Sequence, residues 1–214
     1  MIAKEGLGLI LTSVILSLMF FVLASMTKAR LGVVLATLSA VATLFLLYFF
    51  RDPERKIPTG QNLIVSPADG RVLEIESVAK NDFIGTRGVK ISVFLSPLDV
   101  HVIRSPMEGK VEYAVYKKGS FKAAYKNEAS LQNENLELGI SASRSRLILR
   151  QIAGFLARRI VCSARQCDQL ARGARLGVIK FGSRVELILP ADVDLKIARQ
   201  QKIRAGETII GVFK

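Results

Sequence analysis

A Gly-Ser step inside a strand-like stretch is the first place in this sequence where chemistry could occur. The stretch runs from Gly177 to Pro190, and apolar and polar residues alternate around Gly182-Ser183. The Ser183 hydroxyl could attack the Gly182 carbonyl, because glycine has no side chain to shield it. A glycine within a strand pattern also indicates an ordinary bulge or a close backbone approach. The step alone leaves both interpretations open.

One histidine and one aspartate could assist such an attack. His101 is the only histidine of the chain and lies at the end of a predicted strand, in a segment framed by prolines. If a step needs a base that titrates near neutral pH, no other histidine can supply it. Asp69, in a predicted turn, could orient the imidazole and stabilise its charged form. A purely structural histidine is the alternative.

The two cysteines predict no metal site. Cys162 and Cys167 have a spacing that matches no common zinc pattern, and a single distant histidine cannot complete a tetrahedral set. We expect free thiols in a reducing compartment.

Two apolar runs near the N-terminus predict a membrane-associated helical hairpin, which with its exit linker forms the first domain, 1–56. Gly6–Thr27 and Leu31–Phe50 contain no charged side chain, and each can cross roughly 30 Å of hydrocarbon as a helix. A second run directly after the first disfavours a cleaved signal peptide. A shallow hairpin that dips into the bilayer and a buried helical pair are the alternatives.

Basic residues around the hairpin favour a location at the cell membrane with the main domain on the cytoplasmic side. More of them lie at the two ends of the hairpin than at its turn, where Lys28 and Arg30 stand. Those at the ends are Lys4, Arg51, Arg55 and Lys56.

The remainder, 57–214, is predicted to be a mainly β domain, either a sandwich or an open barrel. Its short strand-like segments are broken by glycine and proline. The segment 146–161 is long enough for a helix, but two strands, Leu147–Gly154 and Ala157–Cys162, fit better among neighbouring strands. The polar segment Gly119–Asn135 predicts either a lid or a surface loop.

Two similar sequences predict two similar hairpins that face each other. Ser66–Val72 and Ser105–Val111 each have a proline turn, an acid and a glycine, and then a strand. Ile203–Val212 repeats the turn-then-strand pattern and resembles the closing hairpin of lipoyl- and biotinyl-carrier domains.

The net charge of +13 limits the class of partner. A basic domain could bind nucleic acid, but the sequence has no nucleic-acid motif and no basic stripe interleaved with aromatic residues. For a membrane-tethered domain an anionic lipid surface is the nearer partner, since each Lys or Arg beside it adds about 1 kcal/mol. We therefore expect an anionic membrane surface or an anionic lipid as the partner, and no nucleic acid.

Four motifs in order, together with the apolar start, resemble the short, membrane-associated phosphatidylserine decarboxylase proenzymes of prokaryotes. The motifs are Phe49–Pro53, Ser66–Gly70, Phe94–His101 and Lys180–Val185. Each is weak alone, but the four occur with matching spacing and cover nearly the whole chain.

The resemblance implies a self-processing, pyruvoyl-dependent enzyme. Members of that family cleave the Gly-Ser bond, here Gly182–Ser183, which would yield a β chain of residues 1–182 and an α chain of residues 183–214. The serine becomes a pyruvoyl group, which forms a Schiff base with the amine of phosphatidylserine and leads to phosphatidylethanolamine. By the family pattern, His101 and Asp69 assist cleavage. No metal is required, and homo-oligomerisation stays open.

Arg104 and Arg184 bear on which residues serve maturation, decarboxylation and substrate binding. Some family members have a second histidine three residues after the first, where this chain has Arg104. Either His101 serves both maturation and decarboxylation, or water or the substrate phosphate serves one of them. Arg184 follows the cleavage serine, as in the short subgroup, and could bind the lipid phosphate bidentately; Arg104 is a second candidate for substrate binding. A solvated, outward-facing strand residue is the alternative for Arg184.

Two other classes of function compete with the enzyme. A catalytically silent, membrane-anchored β module could bind anionic lipid or a protein, and a membrane-tethered nucleic-acid binder is supported by charge alone. The presence together of Asp69, His101 and Ser183 favours the enzyme.

Overall fold

The computed structural model describes residues 1–27, 30–122, 130, 132–143, 145–154, 159–180 and 182–214. The chain divides into two compact units, Met1–Pro53 and Glu54–Lys214.

The first unit is a pair of apolar helices, α1 (Leu7–Thr27) and α2 (Arg30–Phe49), preceded by a 3-10 turn at Lys4–Gly6. Most of their large side chains are exposed, and helices that are apolar all round suit a lipid environment. The predicted apolar helical hairpin is confirmed, and both helices are long and apolar enough to cross a membrane.

Small residues line the contact between the two helices. Ser17 Oγ lies 3.0 Å from Thr43 Oγ1. A Cβ on Gly32 would come within 2.9 Å of the Ala24 backbone, so glycine allows the helices to approach closely.

The second unit contains fourteen strands among the described residues. They are β1 (Leu63–Val65), β2 (Gly70–Val78), β3 (Gly88–Leu95), β4 (Val102–Arg104), β5 (Gly109–Lys117), β6 (Asn135–Ala142), β7 (Ser145–Ile152), β8 (Arg159–Cys162), β9 (Gln169–Leu170), β10 (Arg175–Lys180), β11 (Ser183–Pro190), β12 (Asp194–Leu195), β13 (Lys202–Ile203) and β14 (Ile209–Val212).

One large antiparallel sheet and two small ones make up the unit. The large sheet has the order β13-β2-β3-β11-β7-β6-β5-β9 and curls into a half-barrel; the small sheets are β1-β14-β12 and β4-β10-β8. Alternate side chains point into the core, as Val185, Leu187 and Leu189 of β11 do. The predicted mainly β fold is confirmed.

The predicted strand at Leu147–Gly154 corresponds to β7, so the helical alternative for 146–161 is wrong there. The second predicted strand overlaps β8, but 157–158 lie outside the described residues.

The two similar sequences form turns of the same geometry, but neither turn closes the predicted hairpin, because β1 pairs with β14 and β4 with β10. Ser66 Oγ and Ser105 Oγ each donate a hydrogen bond to the carbonyl two residues further on, both at 2.6 Å. Gly70 and Gly109 then begin β2 and β5 with φ angles of 150° and 154°. A Cβ at either glycine would lie 2.1 or 2.4 Å from a carbonyl oxygen of the neighbouring strand, so both positions need glycine.

The two turns also bind each other. Arg104 N donates to the Pro67 carbonyl, and Val65 N donates to the Pro106 carbonyl, both at 2.8 Å. The reciprocal bonds relate the two turns by a local twofold axis.

The repeat extends over the whole second unit. Strands β1, β2, β3, β11, β12, β13 and β14 correspond, in that order, to β4, β5, β6, β7, β8, β9 and β10, which is why the order of the large sheet reads the same from either end. Even the irregularities correspond: the register shift between Val72 and Glu74 in β2 recurs between Val111 and Tyr113 in β5.

The second half is inserted into the first. The chain leaves the first half after β3, forms β4 to β10, and returns to the first half at β11. Two connections therefore join the halves, one from Leu95 to Val102 and the other from Lys180 to Ser183. In the second half the corresponding step joins β6 to β7, where Ala142 pairs with Ser145.

The polar segment Gly119–Asn135 is described only in part. Ser120 forms an isolated bridge with Asn133, and the Asn133 amide donates to the Ala153 carbonyl at 2.9 Å. Residues 123–129 and 131, with Tyr125 among them, lie outside the described residues, so the choice between lid and loop stays a prediction.

Candidate active site

Gly182 has a backbone conformation that other residues rarely adopt. Its φ is +63°, in the left-handed region, and no described atom lies within 4 Å of the place where a Cβ would stand. Glycine is therefore needed at 182 for its backbone freedom and not for lack of space. The carbonyl of this residue is left unshielded by any side chain of its own.

Ser183 begins β11 and is fully buried. Its Oγ makes no hydrogen bond to any part of the chain that the structure describes, which is unusual for a buried hydroxyl. The strand that it begins is hydrogen-bonded on both sides, to β3 and β7. A hydroxyl held next to a peptide carbonyl, with no competing bond in the described chain, is suited to act as a nucleophile.

His101 is oriented by its own turn. The side chain is 1% exposed, and its Nδ1 lies 2.9 Å from the carbonyl oxygen of Asp99. When Nδ1 carries the proton and donates to this carbonyl, Nε2 is the basic nitrogen.

The strand register brings the two connections between the halves side by side. Ser183 is the register partner of Leu95, and Ile179 N donates to the His101 carbonyl at 3.3 Å. The histidine and the Gly182–Ser183 bond thus lie on neighbouring segments that run in opposite directions.

Asp69 is bound to residues outside these two connections. Its carboxylate accepts hydrogen bonds from Arg55 Nη2 at 3.0 and 2.9 Å and from Ala205 N at 2.8 Å. The Arg55 side chain is 6% exposed and also lies 3.5 Å from a Glu207 carboxylate oxygen. Since Nδ1 of the histidine faces the Asp99 carbonyl, orientation of the imidazole by Asp69 stays a prediction.

The twofold repeat nevertheless favours a grouping of the three predicted residues. Asn62, Glu108 and Ser145 occupy the positions in the other half that correspond to His101, Asp69 and Ser183. All three line one cavity of about 350 Å³. By the local symmetry, the aspartate, the histidine and the serine would border the corresponding space.

Arg184 is fully buried, so the alternative of a solvated charge is wrong, although the side chain does lie on the outer face of the sheet. Its Nη2 donates to Ser92 Oγ at 2.7 Å and to Glu74 Oε2 at 3.4 Å. Its Nε lies 2.9 Å from Glu186 Oε1 and forms an ion pair with it. The Nε–H bond does not point towards this oxygen, so the contact is not a hydrogen bond. Phosphate binding by this arginine stays a prediction, and the guanidinium already faces two carboxylates.

These contacts are part of a polar row that crosses the outer face of the large sheet. The fully buried Glu186 accepts from Ser130 Oγ at 2.7 Å and from Arg150 Nη1 at 3.3 Å. Arg150 in turn donates to Glu137 Oε2 at 2.6 Å through Nη2, and Tyr113 donates to Glu137 Oε1 at 3.0 Å. Burial, and then the Glu137 charge, raise the pKa of Tyr113 well above its usual range.

Arg104 lies at the end of β4 and is partly exposed. Its Nη1 donates to the Gly173 carbonyl at 3.2 Å, and its Cδ is 3.2 Å from where a Cβ of Gly206 would be. Substrate binding by Arg104 stays a prediction.

Three residues that contact the predicted site residues were not predicted from the sequence. Glu186 could have been found, because residues two apart on a strand share a face and the opposite charges of Arg184 and Glu186 suit a pair. Arg55 belongs to a linker whose partner is distant in sequence, and the role of the Asp99 carbonyl belongs to the backbone. Neither the Arg55 contact nor the role of the Asp99 carbonyl produces a pattern of residue types that could be recognised in the sequence.

A family model described as phosphatidylserine decarboxylase matches residues 42–211. Similar relatives are bacterial proteins named phosphatidylserine decarboxylase proenzyme. The one from Chlorobium phaeobacteroides strain BS1 is 39% identical over 214 residues and covers 100% of both chains. A relative from strain DSM 266 is 47% identical over 83% of this chain and 84% of its own. The relative from Symbiobacterium thermophilum is 43% identical over 98% of this chain and 94% of its own.

Proposed function

The chain belongs to the phosphatidylserine decarboxylase family, and from this premise we propose that it cuts itself between Gly182 and Ser183 and turns the serine into a pyruvoyl group. The observation that carries the proposal is the left-handed glycine followed by a buried serine hydroxyl that has no hydrogen bond within the described chain.

The cleavage begins when Ser183 Oγ attacks the carbonyl carbon of Gly182. The hydroxyl proton passes to a base, the peptide C–N bond breaks, and the Ser183 nitrogen takes up a proton, so that an ester replaces the amide. Removal of the Ser183 Cα proton then breaks the Cβ–Oγ bond, and Gly182 leaves as a carboxylate. The dehydroalanine at 183 takes up water and loses ammonia, which leaves a pyruvoyl group.

His101 is the base in this proposal. It lies on the segment next to the scissile bond, and the Asp99 carbonyl fixes its ring at 2.9 Å. Asp69 is the second assisting residue; the cavity that Asn62, Glu108 and Ser145 line in the other half supports this role. Position 183 suits a pyruvoyl group, because the residue there is small and buried and begins a strand that is paired on both sides.

A pyruvoyl group at position 183 would supply an electrophilic carbonyl for the amine of phosphatidylserine and an electron sink for the loss of carbon dioxide. In the same reaction His101 holds the proton that returns to the substrate carbon. Arg104, which is partly exposed, is the proposed contact for the lipid phosphate. We assign Arg184 to the polar row of the sheet, because its donors face Glu74, Ser92 and Glu186.

The two products of cleavage stay together in one fold. The α chain, Ser183–Lys214, carries β11 to β14. Strands β11, β13 and β14 pair with strands of the β chain, and β12 pairs with β14. We further propose that the enzyme works on membrane phospholipid, with the second unit on the cytoplasmic side and the two apolar helices in the membrane.

Intact-mass measurement of the denatured protein tests self-cleavage. The wild-type chain should give a fragment ending at Gly182 and a Ser183–Lys214 fragment with a blocked N-terminus, whereas Ser183→Ala should stay full length. Ser145→Ala is the matched control, because Ser145 occupies the corresponding position at the start of β7 and should have no effect on processing. A stable, unprocessed wild-type chain would overturn the proposal and leave the silent lipid-binding module.

A second measurement tests the base. His101→Gln should stop or greatly slow the appearance of the small fragment, and Asp69→Asn should slow it less. If His101→Gln matures and decarboxylates phosphatidylserine at the wild-type rate, the base has been assigned wrongly.

A further inference from the structure

We propose that the turn Ser96–Val100 docks onto a phospholipid bilayer, with Leu98 inserted among the lipids at the mouth of the active site. This inference rests on the proposed function, since it concerns how the same site reaches a substrate held in a membrane.

The turn is built to present Leu98 outward. Asp99 N donates to the Ser96 carbonyl at 2.9 Å, and Ser96 N donates back to Asp99 Oδ2 at 2.8 Å. Leu98 N donates to Ser96 Oγ at 3.3 Å. These bonds hold the turn closed, and the Leu98 side chain at its tip is 62% exposed.

The same turn orients the proposed base. The Asp99 carbonyl that contacts His101 Nδ1 at 2.9 Å belongs to the residue after Leu98. One short rigid element therefore carries an exposed apolar side chain on the outside and the buried histidine on the inside. Fixing Leu98 in a bilayer would fix the height of the imidazole above the lipid head groups.

Exposed apolar residues of the second unit share one rim of the large sheet. Among the residues that the structure describes, its exposed large apolar side chains are Leu98, Val115 and Tyr116. Leu98 follows β3 just beyond the pair that Leu95 forms with Ser183. The other two stand at the end of β5 that continues the same rim.

The register shows that this rim is continuous. Starting at Ser183, the rim crosses three strand pairs in turn. Arg184 of β11 pairs with Ile152 of β7, Ile152 pairs with Asn135 of β6, and Asn135 pairs with Lys117 of β5. Val115 and Tyr116 directly precede Lys117. Exposed apolar residues that share one rim of the sheet with Ser183 indicate an interaction surface.

Charge on the rim selects a phospholipid surface over an apolar protein partner. Lys117 and Lys118 are exposed beside Tyr116, and basic groups next to apolar ones suit the boundary between anionic head groups and acyl chains. The nearby acids are engaged: the Asp99 carboxylate binds Ser96 N, and Glu134 accepts from the Tyr116 hydroxyl.

A tryptophan scan tests the contact directly, because the natural chain contains no tryptophan. We would place the full-length Leu98→Trp and Tyr116→Trp variants in vesicles of phosphatidylcholine and phosphatidylserine, with or without brominated phosphatidylcholine. Asp192→Trp is the control, since Asp192 follows β11 at the opposite rim. We expect both rim variants to emit at shorter wavelength and to be quenched by the brominated lipid roughly twofold more than the control.

Two results would overturn the proposal. One is emission and quenching in the Leu98→Trp variant equal to those of the Asp192→Trp control. The other is a blue shift without quenching that depends on protein density in the vesicle, which would show that a second copy of the chain covers the rim.

Kinetics separate docking from a general loss of the site. For Leu98→Ser, the ratio of kcat/KM on bilayer phosphatidylserine to that on a soluble short-chain phosphatidylserine should fall roughly fivefold. Asp192→Ser should leave the ratio unchanged. An equal fall on both substrates would show that Leu98 acts by positioning His101 and would sink the docking proposal. Failure of the wild-type chain to cleave itself would remove the proposed function, while the quenching test would still decide whether this rim meets lipid.

Discussion

The buried ion pair next to the proposed cleavage site provides the sharpest test of how this fold is held together. Arg184 and Glu186 are both 0% exposed, and their charged atoms lie 2.9 Å apart. We consider Glu186→Gln, which keeps the shape of the side chain and removes its charge. The variant is best made in the Ser183→Ala background, so that every chain measured is uncut.

The magnitude follows from what Arg184 keeps after the change. Glu74, whose side chain is 20% exposed, stays 3.4 Å away, and Arg184 Nη1 already has no acceptor in the described part of the chain. Removing one partner of a buried pair typically costs 3–5 kcal/mol because a charge is left uncompensated. Since Glu74 compensates in part, we expect a loss of about 3 kcal/mol in the free energy of unfolding.

Urea unfolding of the full chain in detergent, followed by the circular dichroism of the sheet, measures the loss. Glu76→Gln is the matched control, because Glu76 pairs with Lys90 at 2.9 Å on the adjacent strands but is 45% exposed, and exposed pairs contribute about 1 kcal/mol or less. Replacing both charges, as in Arg184→Met with Glu186→Leu, should recover much of the stability. If Glu186→Gln costs no more than the control, the buried pair does not stabilise the sheet as argued.

Three further predictions concern single side chains. Gly182→Ala should lower stability by about 1 kcal/mol in the Ser183→Ala background, because φ at 182 is +63° while no described atom would meet the new Cβ; an unchanged urea midpoint would contradict this. Burial raises the pKa of the Cys162 thiol, so a maleimide at neutral pH should label the exposed Cys167 first, as peptide masses will show. The hydrogen bond to Glu134 raises the pKa of Tyr116 to about 12 from 10.0. The proton held by the folded state should therefore make stability fall as pH rises from 10 towards 12, and Tyr116→Phe should reduce that fall in alkaline unfolding curves.

The sequence predicted the elements well wherever the signal was local. The apolar hairpin follows from two uncharged runs, and the mainly β unit follows from short alternating segments closed by glycine and proline. The echo between Ser66–Val72 and Ser105–Val111 correctly indicated two similar elements that face each other. They are turns between strands of different sheets and not the predicted hairpins. The extent of the repeat was not visible, because the halves correspond in strand register and hardly at all in residue type.

The parts of the site that escaped prediction depend on contacts between distant segments. Burial of Arg184 could not be read from its strand, because residues that alternate with core positions normally face solvent, and here the opposite face of β11 is covered as well. The pairing of Asp69 with Arg55 joins a turn to a linker. Only the folded arrangement shows that the linker returns to that turn.

Because one half is inserted into the other, folding has to precede the proposed cleavage. The proposed cut falls on one of the two connections between the halves, and the connection that carries His101 stays intact. Before the cut, β11 finds β3 and β7 as parts of its own chain. After the cut, the Ser183–Lys214 piece is a separate molecule, and once unfolded it must meet its partner again at a rate that depends on concentration. With the proposed cut, the protein would have to complete its fold while it is still one chain, and the cut enzyme would depend on slow unfolding for its lifetime.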